Sequence, residues 1–227
     1  TLGAHPEWLT LGYLLNQRLI ASVDEVESVT VDWDVNAVSV KTREGIQRIE
    51  ERTARRVVTT GCGQGSVFGG LMDEIDAIRL PEGVLRQSQL YAIVNAIRLK
   101  ESTYKSAGSV HACALFRGTE LALFVEDVGR HNAVDTIAGW LSLQDDAVRD
   151  SGDMLDKVFY TTGRLTSEMV IKSAQMGVAG ITQMGLQVAE RVGLCAVGRA
   201  TNKHFLCYAN PQRLVLDAVP PPSPQRP

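Results

Sequence analysis

The chain has 227 residues, 44% of them hydrophobic and 22% charged, with a formal net charge of -3. That is enough apolar mass for one large core, or for a core with a small lobe, and the near-neutral balance argues against nucleic acid as a partner. No apolar run reaches the roughly 18 residues that span a bilayer, so no membrane partner is expected either.

The opening TLGAHPEWLTLGYLL has no initiator Met and fits a fragment of a longer protein. Pro6 to Ile20 is predicted as a helix, because Pro6 suits a first turn and Leu9, Tyr13 and Leu14 share a face. Val26 to Val40 and Arg43 to Thr60 alternate apolar and polar residues and are predicted to hold strands, SVTVDW, AVSVKT and RVVTT. Gln87 to Lys100 carries Leu90, Ile93, Val94 and Ile97 at helical spacing. VHACALF and ELALFVED then read as a hairpin around Arg117-Gly118-Thr119. Arg130 to Leu143 is predicted helical, KVFYTT a strand, Ser167 to Met176 and Gln183 to Val192 helices, and LCAVGRA and HFLCYA strands. Alternating strands and helices argue for a layered α/β domain. The Pro-rich end, PPPSPQRP, is predicted to be disordered.

Five segments carry residues suited to chemistry. Thr59 to Gly65 reads TTGCGQG, with three glycines around Cys62. Glycine permits positive φ and close approach, and a thiolate on such a loop could hand over a sulfur atom. A tight turn with a packed cysteine is the alternative. The chain's four cysteines, Cys62, Cys113, Cys195 and Cys207, include no C-x-x-C pair. They form no disulfide framework and fit a reducing compartment.

Ser109-Val110-His111-Ala112-Cys113 invites comparison with zinc deaminases, whose signature is H-x-E followed by P-C-x-x-C. Cys113 stands where the glutamate should be, and no P-C-x-x-C follows, so no metal site is expected. In EDVGRHN, Asp127, His131 and Asp135 are spaced to share one helix face, and Asp127 is a candidate N-cap. Thr162-Gly163-Arg164 leads into Ser167-Glu168-Met169, a strand-to-helix junction that could cradle a phosphate. Finally Arg199-Ala200-Thr201-Asn202-Lys203-His204 is a turn with three potentially cationic side chains, suited to a nucleotide pyrophosphate.

In this order the segments HPEWLTLGYLLNQRLI, TTGCGQG, YKSAGSVHACALF, EDVGRHNAVD, TTGRLTSEMVIKSAQMG and VGRATNKHFLCY resemble the formate dehydrogenase accessory sulfurtransferase family, FdhD. The resemblance implies an α/β, cytidine-deaminase-like three-layer domain over residues 81–218. A small β-rich N-terminal lobe would occupy 1–80, and a disordered tail 219–227. It implies a sulfurtransferase that accepts sulfur from a cysteine desulfurase as a persulfide on Cys62. The sulfur would pass to the bis(guanine dinucleotide) molybdenum cofactor of a formate dehydrogenase catalytic subunit. The cofactor-binding segment maps onto Arg199, Ala200, Thr201, Asn202, Lys203 and His204. His111, Asp127, Arg130, His131 and Arg164 are left as supports of a transfer site. A cytoplasmic homodimer is also implied.

Three features depart from the family pattern. The second cysteine of its C-G-x-C loop is Gly65 here, which puts a relay between two loop thiols in doubt. The family's first strands are missing before Thr1. Gly177-Val178-Ala179-Gly180-Ile181 runs together where the family inserts about a strand's length of chain, as if residues were missing at Val178–Ala179. A non-catalytic chaperone for the molybdenum cofactor, with Cys62 idle, is the second expectation. A zinc-dependent deaminase is the third.

Overall fold

The stretch Val110–Phe116 is apolar apart from His111, and its place in the computed structural model shows why. It forms most of β6 (His111–Arg117), the middle strand of a three-stranded antiparallel sheet ordered β7-β6-β8, with β7 at Glu120–Asp127 and β8 at Lys157–Thr161. Both faces of β6 are covered. Cys113 and Leu115 pack into the main core with Val125 and Phe159, while Ala114 and Phe116 pack with Ile93 on the other face. A strand covered on both sides has no polar face, so alternation disappears. Each large side chain such as Phe116 contributes about 1.5–3 kcal/mol by leaving water. The described residues are 1–46, 49–50, 57–58, 65–66, 78, 80, 83–144, 157–164, 166–176 and 183–218.

Among the described residues, six α-helices with both ends defined accompany the strands. They are α1 (Pro6–Asn16), α2 (Gln87–Leu99), α3 (Thr103–Ala107), α4 (Arg130–Ser142), α5 (Ser167–Gln175) and α6 (Gln183–Val192). Helix α2 supplies Ile93 to one face of the sheet. Helices α4, α5 and α6 supply Val134, Ile137, Met169, Val170, Val188 and Val192 to the core on the other. Helices thus lie against both faces of this sheet, a layered α/β arrangement of the kind the alternation of elements predicts. Two further antiparallel pairs are β1 (Val26–Asp32) with β2 (Ala37–Thr42), and β9 (Ala196–Gly198) with β10 (Leu206–Ala209). Short strands β3 (Val57–Val58) and β4 (Gly65–Ser66) pair antiparallel, and β5 (Leu85–Arg86) pairs parallel with β11 (Leu214–Val215).

The boundaries differ from expectation in three places. Helix α1 stops at Asn16, not Ile20, and Arg18 takes a left-handed φ of 57°. Within Arg43 to Thr60, the expected strand RVVTT is extended at Val57–Val58, whereas residues 43–46 are irregular and 49–50 helical. Helix α4 is capped by Gly129, not by Asp127, which ends β7. Cys62 and the rest of 59–64, the Val178–Ala179 junction and the tail 219–227 lie outside the described residues.

Helix α1 falls on the N-terminal side of the boundary expected at residue 80, yet it packs against α4 on the other side. Their backbones touch. A Cβ on Gly12 would lie 1.7 Å from the carbonyl oxygen of Asp135, and one on Gly139 would lie 1.9 Å from that of Trp8. No side chain can yield there, because the obstacle on each side is main chain. Gly12→Ala and Gly139→Ala are each expected to cost at least about 3 kcal/mol, the upper end for overpacking. Urea unfolding measures this. Gly45→Ala, where nothing lies within 4 Å but φ is +74°, serves as a control, with an expected loss of about 1 kcal/mol from the left-handed backbone alone.

Candidate functional site

One end of the sheet gathers most of the residues singled out from sequence. Strand β6 starts there at His111, directly opposite Asp127 at the end of β7. The chain then turns through Gly129 into α4, which begins Arg130-His131. Strand β8 ends beside them: Thr161 pairs with Cys113, and the Thr162 N–H donates to the Ala112 carbonyl at 2.9 Å. Gly163 follows, so close to α4 that a Cβ would lie 3.0 Å from the Cβ of Arg130. The chain then enters α5 at Ser167-Glu168. Two helix N-termini and three strand ends therefore meet in one place.

Electrostatics at this end are tightly set. Burial pushes the Asp127 carboxyl up, but hydrogen bonds from Thr1, Gly129, Leu2 and Asn132 outweigh it and hold it below the usual carboxylate range. His111 is held below the usual histidine range by burial, then by the charges of Arg130 and Arg164. His131 is pushed down to about 3 by burial, with Lys172, Arg130 and His111 adding to the effect. It is a neutral imidazole at neutral pH. Arg130 is buried and Arg164 exposed. His111, Asp127, Arg130, His131 and Arg164 thus belong together. Cys113 does not join them as a nucleophile. Its side chain is wholly buried, its Sγ lies 3.3 Å from Thr161 Oγ1, and burial pushes the thiol up to about 12. Among the described residues no group of three His, Cys, Asp or Glu could hold a metal ion.

Below this surface lies a set of charges that pattern reading missed. Lys172 Nζ donates to Asp135 Oδ2 at 2.9 Å and lies 2.8 Å from Oδ1, and neither side chain is exposed. Asn16 donates to Asp135 Oδ1 at 2.6 Å. Glu168 stands 3.7 Å from Lys172 and 3.7 Å from His131 Nδ1. The expected shared face of Asp127, His131 and Asp135 is therefore real for the last two, which address Glu168 and Lys172 on α5. Asp127 lies on the strand before the helix. One signal was available for Lys172: it interrupts the apolar run of α5, where a solvated lysine would have no place.

The basic turn is a separate unit in the β9–β10 hairpin. Arg199 takes a left-handed φ of 50°. Thr201 Oγ1 accepts the N–H groups of Lys203 and His204 at 3.2 and 3.1 Å, and the Thr201 N–H donates to the His204 carbonyl at 2.8 Å. Tyr91 of α2 donates its hydroxyl to the Lys203 carbonyl at 3.3 Å. The backbone is thereby fixed while the side chains of Arg199, Asn202, Lys203 and His204 are exposed and Ala200 is half-buried. Fixed main chain with free cationic side chains suits phosphate capture. Cys62, as noted, is outside the described residues; the strands on either side of it, β3 and β4, pair through Val58 and Gly65.

Two measurements follow from the buried charges. Lys172→Met leaves Asp135 uncompensated and is expected to cost about 3–5 kcal/mol in urea unfolding. Adding Asp135→Asn to that variant should recover part of the loss, since the orphaned charge is then gone. The second concerns pH. His131 has a lowered folded value of about 3, against about 6.5 unfolded. Between those values the unfolded chain binds a proton that the folded chain does not. Stability is therefore complete above the unfolded value and is lost as pH falls through this window. Its slope is at most about 1.4 kcal/mol per pH unit. Unfolding curves between about pH 6 and pH 4.5, above the usual carboxylate range, should show this slope in the parent chain and a flatter one in His131→Gln.

Comparison with known proteins agrees with the elements described. A family model, the FdhD/NarQ family, matches residues 1–215. The sulfur carrier protein FdhD of Bacillus subtilis (strain 168) is 28% identical over 223 residues, covering 92% of this chain and 80% of the relative. The protein of the same name from Geobacillus kaustophilus (strain HTA426) is 24% identical over 220 residues, covering 94% and 81%. A crystal structure from Desulfotalea psychrophila, assigned as a formate dehydrogenase accessory protein, superposes with a TM-score of 0.67 at 23% identity, covering 94% of this chain and 81% of that one. That likeness carries the mixed α/β fold across. With a family match over nearly its whole length, the chain belongs to the FdhD/NarQ family.

Proposed function

We propose that this protein is a sulfur carrier serving a formate dehydrogenase. The observation that carries the reading is the family match over residues 1–215 together with relatives named sulfur carrier proteins. In this reading Cys62 accepts a sulfane sulfur from a cysteine desulfurase as a persulfide. It then delivers the sulfur to the bis(guanine dinucleotide) molybdenum cofactor destined for the formate dehydrogenase catalytic subunit. The protein acts as a cytoplasmic homodimer with a cytidine-deaminase-like core.

The chemistry of the chain supports this reading at two points. Cys62 is flanked by Gly61 and Gly63, and glycine lets a partner approach closely. The exposed Arg199, Lys203 and His204 sit on a turn whose backbone is held by Thr201 and Tyr91, and a phosphate contact to a charged donor is worth about 1.5–3 kcal/mol. Two or three such contacts hold an extended dinucleotide. Gly65 makes Cys62 the loop's sole thiol. A persulfide there leaves straight to its acceptor or through a cysteine elsewhere. A second reading keeps the turn and drops the thiol, leaving a chaperone that holds the cofactor without carrying sulfur.

Incubation with a desulfurase and cysteine, followed by intact mass, is expected to show the parent chain gaining one sulfur atom and Cys62→Ala none. Full loading of Cys62→Ala would refute the carrier role of this thiol. Full rescue of formate dehydrogenase activity by Cys62→Ala would favour the chaperone. Binding of a guanine nucleotide, followed by calorimetry, should weaken about 10- to 100-fold on Arg199→Ala or Lys203→Ala.

A further inference from the structure

The buried charges below the candidate site are unevenly satisfied. Asn16, Asp135, Lys172, Glu168 and His131 follow one another from α1 through α4 and α5, and none is more than 4% exposed. The first three are closed by hydrogen bonds of 2.6 to 2.9 Å. The last two are open. Glu168 Oε2 and His131 Nδ1 are both buried without a hydrogen-bond partner, and they face each other at 3.7 Å. That gap is too long for a hydrogen bond. An unmet buried donor or acceptor costs about 1–3 kcal/mol.

The two groups suit each other. Lys172 and Asp135 cancel, so Glu168 is the surplus anion of the row. Its Oε1 is 3.7 Å from Lys172 Nζ, and its Oε2 points at the imidazole. Facing His131 are the carboxylate of Glu168 and, on the repelling side, Lys172, Arg130 and His111. Both residues lie in the first turns of their helices, α4 and α5, at the end of the sheet where His111 and Arg164 also gather. Closing the gap by less than 1 Å completes the bond. Of the two ring nitrogens, Nδ1 is the one that meets a carboxylate, and a proton placed there leaves Nε2 as the acceptor.

We propose that Glu168 is a positioning residue for His131: its carboxylate takes the Nδ1–H, fixing the neutral tautomer whose Nε2 accepts a proton from a sulfhydryl brought to this end of the sheet. The substrate class is thus a protonated sulfur, –SH or –S–SH, and this assignment rests on the sulfur-carrier reading. The step is one proton transfer. The S–H bond breaks, an N–H bond forms at Nε2, and the sulfur keeps the electron pair as an anion. The resulting imidazolium is held by Glu168, and no oxidation or reduction occurs. With the gap open the ring is a weak base; with it closed the carboxylate stabilises the cation. The row from Asn16 to Lys172 keeps Glu168 in place for that exchange.

The test is nitrogen-15 NMR of the full chain labelled at its four histidines, with the His131 signals assigned from His131→Gln. At neutral pH the parent chain is expected to show His131 neutral and protonated on Nδ1. Glu168→Gln should move the ring toward the Nε2–H tautomer. It should also slow release of sulfur from the loaded protein about 10- to 100-fold, the usual cost of losing a group that orients a functional histidine. Loading of Cys62 should be unchanged, and Glu168→Asp should restore part of the rate. A parent His131 protonated on Nε2 overturns the inference, and this holds even if Glu168→Gln does not fold. A tautomer change with no change in release rate overturns it as well. Failure of the parent chain to load sulfur refutes the carrier reading instead, and leaves the tautomer measurement standing.

Discussion

Asp135 is the residue on which the rest of the structure depends. Its carbonyl oxygen is the surface against which Gly12 of α1 closes. Its carboxylate takes Asn16 of the same helix at 2.6 Å and Lys172 of α5 at 2.8 and 2.9 Å. One side chain and one carbonyl thus fix three helices relative to one another. A buried ion pair is a costly way to do so, because apolar packing of the same volume is often as stable or more. What the pair adds is geometry. A lysine bound to both oxygens of one carboxylate admits far fewer arrangements than a greasy contact.

That geometry is felt at the end of the sheet where the candidate site residues gather. Helix α4 carries His131 one turn before Asp135, and α5 carries Glu168 one turn before Lys172. The closed pair therefore sets the distance of the open one. The end of the sheet is also where the backbone changes sharply, with one strand starting, two stopping and two helices starting. Helix N-termini favour negative charge, and Arg130 and Arg164 add to that field. Of the opposing carboxylates, Asp127 is committed to hydrogen-bond partners and Glu168 stands 3.7 Å from both His131 and Lys172, so the local field is shaped rather than simply positive.

Much of this was legible in the sequence, and the exceptions have physical causes. The order and type of the larger elements followed from pattern, because α2 carries Leu90, Ile93, Val94 and Ile97 at helical spacing and β6 is a continuous apolar run. The grouping of His111, Asp127, Arg130, His131 and Arg164 was legible as motif residues, although only the sheet brings them within reach of one another. The first helix ended early because its continuation, Gln17 and Arg18, turns back to let Leu19 and Ile20 join a small apolar cluster with Leu14. Within Arg43–Thr60, residues 43–46 and 49–50 are not extended, because alternation needs a neighbouring strand to make use of it, whereas Val57–Val58 has one in β4. Asp127 reads as a cap from its type and place, but its oxygens are taken by Gly129, Asn132, Leu2 and Thr1. Glycines 12 and 139 carried no signal, since a glycine that permits a helix crossing looks in sequence like one that weakens a helix.

The crossing of α1 and α4 has a mechanical consequence. Most packed helices can slide by letting their side chains change rotamer, and the interface absorbs small strains. Here main chain bears on main chain at two points, so there is no compliant layer between the helices. The pair acts as a strut. A displacement of the segment around Trp8 bears directly on the turn that holds Asp135, and through it on the first turn of α4. This joint connects α1, through Asp135, to the first turn of α4, where His131 lies.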